Sequence, residues 1–551
     1  MQLSPSAHID TFCRDNLPPA DEWPELRFDL PGLRYPERLN CAEALLDAAV
    51  ARYGPDRPCL RTAATATATS ATATPATAAP TWTYGDLLRR ANQAARVLTE
   101  DFGLVPGNRV LLRGPNNPWL IAAWFAVLKA GGVAVTTVHL LRAGEIKALT
   151  DLTRPDLAIC DHRYAGELSA AAPGLPTVLY GGQGDDLTAR CDAKSGTFKA
   201  VATAADDVAL LAPTSGTTGK PKATMHFHRD VLAINDTFGR HVLAAGPDDL
   251  FAGTPPVGFT FGLGGLVVFP IGAGACTLLL ERASPDELAD VIGGHGVTAL
   301  FTAPTMYRAL VATGKAEALR SLRQCVSAGE HLPAAVWHDF HRATGTKIID
   351  GIGSTELLHI FISATGDRIR PGATGLAVPG FEAAVVDEDG KPVPDGEAGR
   401  LVVKGPTGCR YLADERQRAY VADGWNITGD TYTRDGDGYY WYRARSDDMI
   451  ITSGYNIAGP EVEQALLGHP DVIDVGVVAA PDSERGTIVK AYVVLRGGVA
   501  AGPAKAAELQ SFTKQAIAPY KYPREVEFLG SLPRTTTGKL QRYRLRELAA
   551  G

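Results

Sequence analysis

No two of the eight cysteines, at positions 13, 41, 59, 160, 191, 276, 325 and 409, are spaced as C-x-x-C. That removes the common zinc and dithiol patterns and leaves scattered, reduced, buried thiols, the habit of a cytoplasmic protein. Positive charge is not in excess. Lys and Arg number 54 against 61 Asp and Glu, a net −7, which excludes a nucleic-acid binder working through a broad basic surface. The start, Met1 to Arg14, lacks a basic stretch followed by an apolar one, so no signal peptide is expected. Long charge-free runs are scarce. Gly262 to Leu280 approaches the length of a membrane span, but it contains Pro270 and five glycines and lies between polar loops. It reads as buried helix, turn and strand, with no membrane role. The pairs His226/His228 and His338/His341 lack nearby ligand partners and read as core or solvated histidines.

A Walker loop is also missing. The nearest segment, Pro213-Thr214-Ser215-Gly216-Thr217-Thr218-Gly219-Lys220-Pro221-Lys222, has its glycines too close together, and Pro221 follows Lys220 where Ser or Thr is needed. What this segment does contain is concentrated: four hydroxyl side chains, two glycines and two lysines directly after the apolar run Val208–Ala212. Such a loop adds nothing to a core. Its glycines admit close backbone approach, and its N–H, hydroxyl and ammonium groups all offer donors to an anion. A polyphosphate is the natural ligand; a flexible linker is the plain alternative.

The 551 residues leave room for more than one domain, with 45% hydrophobic and 21% charged residues, as in globular proteins. Residues 1–40 read as an extended arm, followed by a helix from Cys41 to Tyr53. The Ala/Thr-rich stretch 62–80 has no large side chains to offset its ordering entropy and reads as an excursion between strands. From Asn108 strands alternate with helices: strands near Val110–Leu112, Val133–Val138, Leu157–Cys160, Thr177–Tyr180, Ala299–Thr302, Gln324–Val326 and Lys347–Asp350. This predicts an α/β fold with parallel-rich sheets and ligands at the strands' carboxyl ends. After about Ala373 the pattern becomes β-rich. From about Arg445 a smaller α+β module begins, with strands near Met449–Thr452, Val475–Ala479 and Val489–Leu495. The expected division is 1–445 and 446–551.

The loops after strands in the second half carry chemistry. Ser327-Ala328-Gly329-Glu330 follows one strand, and Asp350-Gly351-Ile352-Gly353-Ser354-Thr355-Glu356 another, with small residues that let a flat ring lie on the backbone. Thr355 and Glu356 supply hard oxygen ligands suited to magnesium on phosphates. Asp430, after Gly429, can accept two ribose hydroxyls. Arg445-Ser446-Asp447-Asp448 lies at the module boundary, and Pro533-Arg534-Thr535-Thr536-Thr537-Gly538-Lys539 is a second glycine-bearing loop with a lysine.

Taken in order, Thr214–Lys222, Ser327–Glu330, Gly351–Glu356, Thr428–Asp430, Arg445–Asp448 and Pro533–Lys539 resemble the acyl-adenylate-forming superfamily of acyl-CoA synthetases, adenylation domains and firefly luciferase. The resemblance covers nearly the whole chain. It implies a carboxylate and ATP giving acyl-AMP and pyrophosphate, then coenzyme A displacing AMP. It implies that Thr214, Ser215, Gly216, Thr217, Thr218, Gly219, Lys220 and Lys222, with magnesium on Glu356, hold the β/γ-phosphates. It gives Lys539 the task of bridging the acyl carboxylate and α-phosphate, Asp430 with Arg445 the ribose, and Tyr442 with the Ser327–Glu330 and Gly351–Gly353 loops the adenine, with Asp350, Ser354 and Thr355 as further cofactor-site candidates. It aligns Asp447 with a hinge, and Ser453-Gly454-Tyr455 with the pantetheine tunnel.

The acid pocket is expected between Pro255–Gly265, with Phe259, Thr260, Phe261 and Gly262 singled out, and Leu357-Leu358-His359-Ile360-Phe361, with Gly353 as a further candidate. That second segment resembles the benzoate-CoA ligase branch, where a His closes the pocket floor. Ala7–Phe12, Asn16–Pro19 and Met225–His228 resemble 2-aminobenzoate-CoA ligases of that branch. The expectation is therefore an aryl acid-CoA ligase using ATP, Mg2+ and coenzyme A, with 2-aminobenzoate first and benzoate second. A stand-alone adenylating enzyme loading a carrier protein is the alternative. Neither nucleic acid nor membrane is an expected partner, and the protein is expected as a monomer or homodimer.

Overall fold

The computed structural model describes residues 3–63, 81–215, 221–445, 448–452, 455–482, 486–517, 521–535 and 539–550. Two large sheets carry the first 380 residues. One has six strands, in spatial order Thr177–Tyr180, Leu157–Asp161, Arg109–Gly114, Val133–Val138, Val208–Ser215 and Pro221–Phe227. All its pairings are parallel except the last, which is antiparallel. The other has nine, with a parallel centre of Ile348–Gly353, Gln324–Ser327, Ala299–Thr302, Leu250–Gly253, Cys276–Leu279 and Pro58–Thr62, and antiparallel strands at both edges.

Parallel strands buried on both faces need apolar helices between them, and the sequence supplies one in Pro118–Lys129. Asn117 caps it by accepting from the Leu120 N–H, and Pro118 occupies the first turn, where no donor is lost. Its apolar residues join one core with Val110 and Leu210 of one sheet and Leu60, Phe251 and Phe301 of the other. Lys129 at its end is fully buried and ion-paired with Asp47 at 2.6 Å. The segment Gly262–Leu280 is buried helix followed by the strand Cys276–Leu279, as its glycines and Pro270 suggest. Among the described residues no helix is long and apolar enough to cross a membrane.

The N-terminal arm is pinned along its length. Asp207 accepts from the Ala7 N–H at 2.9 Å and from Ser6 Oγ, and Leu26 and Arg38 form single bridges to Gly405 and Ala204. All eight cysteines are buried free thiols. Strands Pro58–Thr62 and Thr81–Thr83 pair antiparallel, flanking the Ala/Thr-rich stretch, of which residues 64–80 lie outside the described residues.

A five-stranded antiparallel sheet over Glu382–Arg445 follows. The last hundred residues have their own three-stranded sheet, Val472–Asp482, Gly486–Leu495 and Glu525–Phe528, and their own core around Ile450, Val462, Val477, Ala491 and Leu509.

Candidate active site

The phosphate-loop candidate is the tip of a β-hairpin. Its first strand continues through Thr214 to Ser215, three residues beyond the apolar run, and its second begins at Pro221, so Thr214 stands opposite Lys222. Residues Gly216, Thr217, Thr218, Gly219 and Lys220 lie outside the described residues, as do Asp447, Ser453 and Gly454. Ser215 ends the strand before the tip, and Tyr455 opens the strand Tyr455–Ala458.

Lys222 points across the hairpin to Glu356. Its Nζ lies 3.1 Å from Glu356 Oε1 and also donates to the Tyr411 hydroxyl, over whose ring it sits at 4.2 Å. Tyr411 donates to the same carboxylate at 2.5 Å. Burial pushes the Glu356 carboxyl up, but the Lys222 charge and the Tyr411 hydrogen bond outweigh it and hold the group below the usual range. The carboxylate therefore stays ionised, the state a magnesium ligand needs. Behind it, His226 Nε2 lies 2.8 Å from the Thr355 carbonyl, and Leu358 adopts φ 70°, a left-handed conformation that costs a branched residue energy. This turn swings the chain from Glu356 to His359. Ser354 anchors it by accepting from the Leu357 N–H and meeting the Tyr420 hydroxyl at 3.2 Å.

The nucleotide-side segments converge from three strands. Ser327 and Ala328 are buried at one strand end, and Gly329 turns at φ 90°. Asp350 is half-buried, with Oδ1 enclosed and unpaired, and burial drives its carboxyl well up. Here one expectation is corrected. The strand does not stop at Asp350 but runs to Gly353, pairing antiparallel with Ile360–Ser363. Gly351 and Gly353 are small because that partner approaches closely: a Cβ would come within 2.8 Å of the Ile360 side chain and 2.7 Å of the His359 carbonyl. Ile352 lies between them in the same strand.

Asp430 stands directly opposite Arg445 in the antiparallel ladder, and Arg445 Nη1 reaches its oxygens at 3.2 and 3.4 Å. Burial raises the Asp430 carboxyl despite Arg445. Tyr442 stacks on His331, ring centroids 5.2 Å apart at 26°. Burial lowers His331 to about 4, so this ring pair is neutral.

Lys539 closes the arrangement. A Cβ added at Gly329 would lie 3.5 Å from its Cε. The residue as a whole is exposed, but desolvation of its ammonium lowers its pKa; the charges of Glu330, Asp430 and Glu356 oppose the shift, while Arg445 adds to it.

The acid-pocket candidates form an aromatic box. His359 is 4% exposed, with neither ring nitrogen hydrogen-bonded, and is ringed by Phe269, Phe238 and Phe261 at 4.6, 5.4 and 5.7 Å. Burial lowers its pKa to about 3, so the imidazole is neutral. Phe259 and Thr260 at the helix start are half-buried, with Phe261 next to them. Gly262 is buried against the Pro256 carbonyl, and the Ile360 side chain lies over Gly351.

Sequence reasoning missed Tyr411, His226 and His331. Tyr411 and His226 sit outside any Gly- or Ser-rich loop and reach the site only through tertiary pairing, the 410–412 stretch being bonded to Ala223–Met225. His331 directly follows Glu330 and could have been found by extending that loop by one residue.

Comparison with known proteins gives the family. The AMP-binding enzyme model matches residues 47–411, and the AMP-binding enzyme C-terminal domain matches 461–539. A benzoate–CoA ligase of Thauera aromatica is 32% identical over 528 residues, 94% of this chain and 97% of that protein. A crystal structure of an anthranilate CoA ligase with anthranoyl-AMP superposes with a TM-score of 0.88 at 31% identity, covering 95% of this chain and 99% of the other. A benzoate CoA ligase from Burkholderia xenovorans LB400 gives 0.82 at 30% identity, covering 92% and 100%.

Proposed function

The chain belongs to the AMP-binding enzyme family, in its benzoate-CoA ligase branch, and from that premise we propose that it joins 2-aminobenzoate, or second benzoate, to coenzyme A. The overall reaction of this AMP-forming ligase consumes an aromatic acid, ATP and coenzyme A and releases AMP, pyrophosphate and the thioester. The observation that carries the residue-level reading is the approach of Lys539, from the last part of the chain, to Gly329 at a strand end of the large sheet, where Asp430 and Glu356 act on its charge.

A carboxylate is a poor electrophile, because its leaving group would be oxide; joined to AMP as a mixed anhydride, with pyrophosphate released, its acyl carbon can expel AMP when the thiol attacks. Making that anhydride brings two anions together, so cations must screen both. Lys222 and the hairpin tip take the terminal phosphates. Glu356 fits magnesium, being an ionised carboxylate backed by a hydroxyl donor; the bound ion would neutralise phosphate charge. Lys539 stabilises the charge developing between carboxylate and α-phosphate. Asp430, paired with Arg445, takes the ribose hydroxyls, and Tyr442 with the 327–330 and 350–353 backbones flanks the adenine.

The aromatic box suits a short, flat acid. His359 has two unused polar atoms in an otherwise apolar setting, and Thr260 offers a hydroxyl near the ring's ortho position. Coenzyme A must approach where Lys539 lies, so residues 446–551 move as a unit against 1–445, with Asp447 as pivot and Ser453–Tyr455 lining the thiol's path. Eight buried free thiols favour the cytoplasm. The test is a panel of benzoates and short fatty acids assayed for ATP- and CoA-dependent AMP release. Turnover confined to fatty acids would refute the aryl-acid reading.

A further inference from the structure

Four charged side chains of alternating sign run from the large part of the chain to the loop that holds Lys539. Arg308, on the helix Pro304–Ala312, places Nη2 3.3 Å from Asp474 Oδ1. Asp474, on the strand Val472–Asp482, accepts from Arg534 Nη2 at 2.9 and 3.1 Å. Arg534 Nη1 then reaches Glu330 Oε1 at 3.2 Å. Arg308 and Glu330 come from the α/β part, and Asp474 and Arg534 from the last hundred residues. All four side chains are between 18% and 33% exposed, so water screens them only in part.

The chain ends on the lysine's own turn. Arg534 bridges Leu540, the Thr535 N–H donates to the Lys539 carbonyl at 2.8 Å, and the Lys539 N–H donates back to Thr535 Oγ1 at 3.1 Å. Glu330 is adjacent to Gly329, the residue beside Lys539 Cε. Whatever fixes Arg534 therefore fixes the height of Lys539 over the nucleotide side of the cleft.

We infer that Asp474, gripped by Arg308 and Arg534, is a positioning residue for the adenylation step. It touches no reactant; it sets where the ammonium of Lys539 stands when acid and ATP are bound. Arg308 is the anchor on the fixed side. The inference rests on the proposed role of Lys539, and it concerns the first half-reaction alone, because coenzyme A cannot enter while Lys539 is held in the cleft.

The experiment measures two half-reactions separately for Arg308→Ala, Asp474→Asn, their double variant and Arg308→Lys. Acid-dependent pyrophosphate exchange should fall roughly five- to tenfold in Arg308→Ala and in Asp474→Asn, with KM for acid and ATP within about twofold, as for a lost partly screened charge contact. Thiol transfer from supplied acyl-AMP should stay within about twofold, since it does not call on the held lysine. The double variant should lose much less than the product of the two single effects. Arg308→Lys should recover most of the exchange rate. Equal loss in both half-reactions, or unchanged exchange in both single variants, overturns the inference. Failure of the parent enzyme to exchange pyrophosphate with any acid overturns instead the role of the site on which it rests. Should Asp474→Asn misfold, Arg308→Ala alone decides, since it removes a half-exposed surface side chain.

Discussion

Gly264 offers a sharp test of the aromatic box. It is helical, at φ −61° and ψ −56°, so alanine is conformationally welcome there and should gain up to about 1 kcal/mol of helix propensity. The added methyl, however, would lie 2.4 Å from His359 Cδ2, 2.5 Å from Nε2 and 3.1 Å from a Phe269 ring carbon. His359 cannot retreat, because Phe238, Phe261 and Phe269 pack around it. Overpacking of this kind costs about 1–3 kcal/mol. Set against the propensity gain, the net loss of folding stability should lie between about zero and 3 kcal/mol, readable as a drop in Tm. The activity effect is separate and larger in meaning. The imidazole is driven toward the acid, so kcat/KM for benzoate and 2-aminobenzoate should fall about tenfold or more, the worth of one methylene in a fitted pocket. Acetate or butyrate turnover and KM for ATP should hold within about twofold. A uniform loss over all acids, or no loss, would show that His359 does not floor the acid pocket.

Four further outcomes follow from the same geometry. Lys539→Ala should slow pyrophosphate exchange about a hundredfold or more while sparing thiol transfer from supplied acyl-AMP; equal loss in both would reassign it. Tyr411→Phe removes a donor to the Glu356 carboxylate, a hydrogen bond worth roughly 1.5–3 kcal/mol, and should raise the magnesium concentration for half-maximal activity about tenfold; an unchanged magnesium curve would rule out its support of Glu356. Thr260→Val should shift the 2-aminobenzoate/benzoate ratio of kcat/KM by at most about tenfold, one neutral hydrogen bond, and a ratio that does not move would remove Thr260 from the ortho position. Burial lowers both His228 and His359 from 6.5 to about 3, so the unfolded chain binds their protons first. Their contribution to stability is complete above about pH 6.5 and is lost as pH falls from there toward 3. Denaturant titrations at pH 7.5 and 5 should show the decline, and His359→Phe should make it shallower.

Much of the architecture was legible because periodicity and turn residues agree with burial. The apolar run Val208–Ala212 and the alternating strand–helix scheme reappear at their expected places. The order of polar loops at strand ends was legible too, since each is a local cluster of small and polar residues. What could not be read was long-range pairing. Nothing near Tyr411 signals that its hydroxyl meets Lys222 and Glu356, 189 and 55 residues away in sequence. The glycines at 351 and 353 misled for the same reason. Their smallness answers a neighbouring strand, which no local pattern announces. Arg308 and Asp474 look like ordinary surface charges until the two parts of the chain are set face to face.

The ladder rung joining Asp430 to Arg445 has one more implication. Arg445 is the final residue of its strand, so the polypeptide leaves the rigid sheet right beside the carboxylate assigned to the sugar. A swing of everything downstream would leave that carboxylate undisturbed, because the exit point is itself stitched to it. The proposed handhold for the sugar and the point where the proposed moving piece leaves the sheet thus share one pair of backbone rungs. On that proposal a nucleotide would keep its seat while the tail changes places above it.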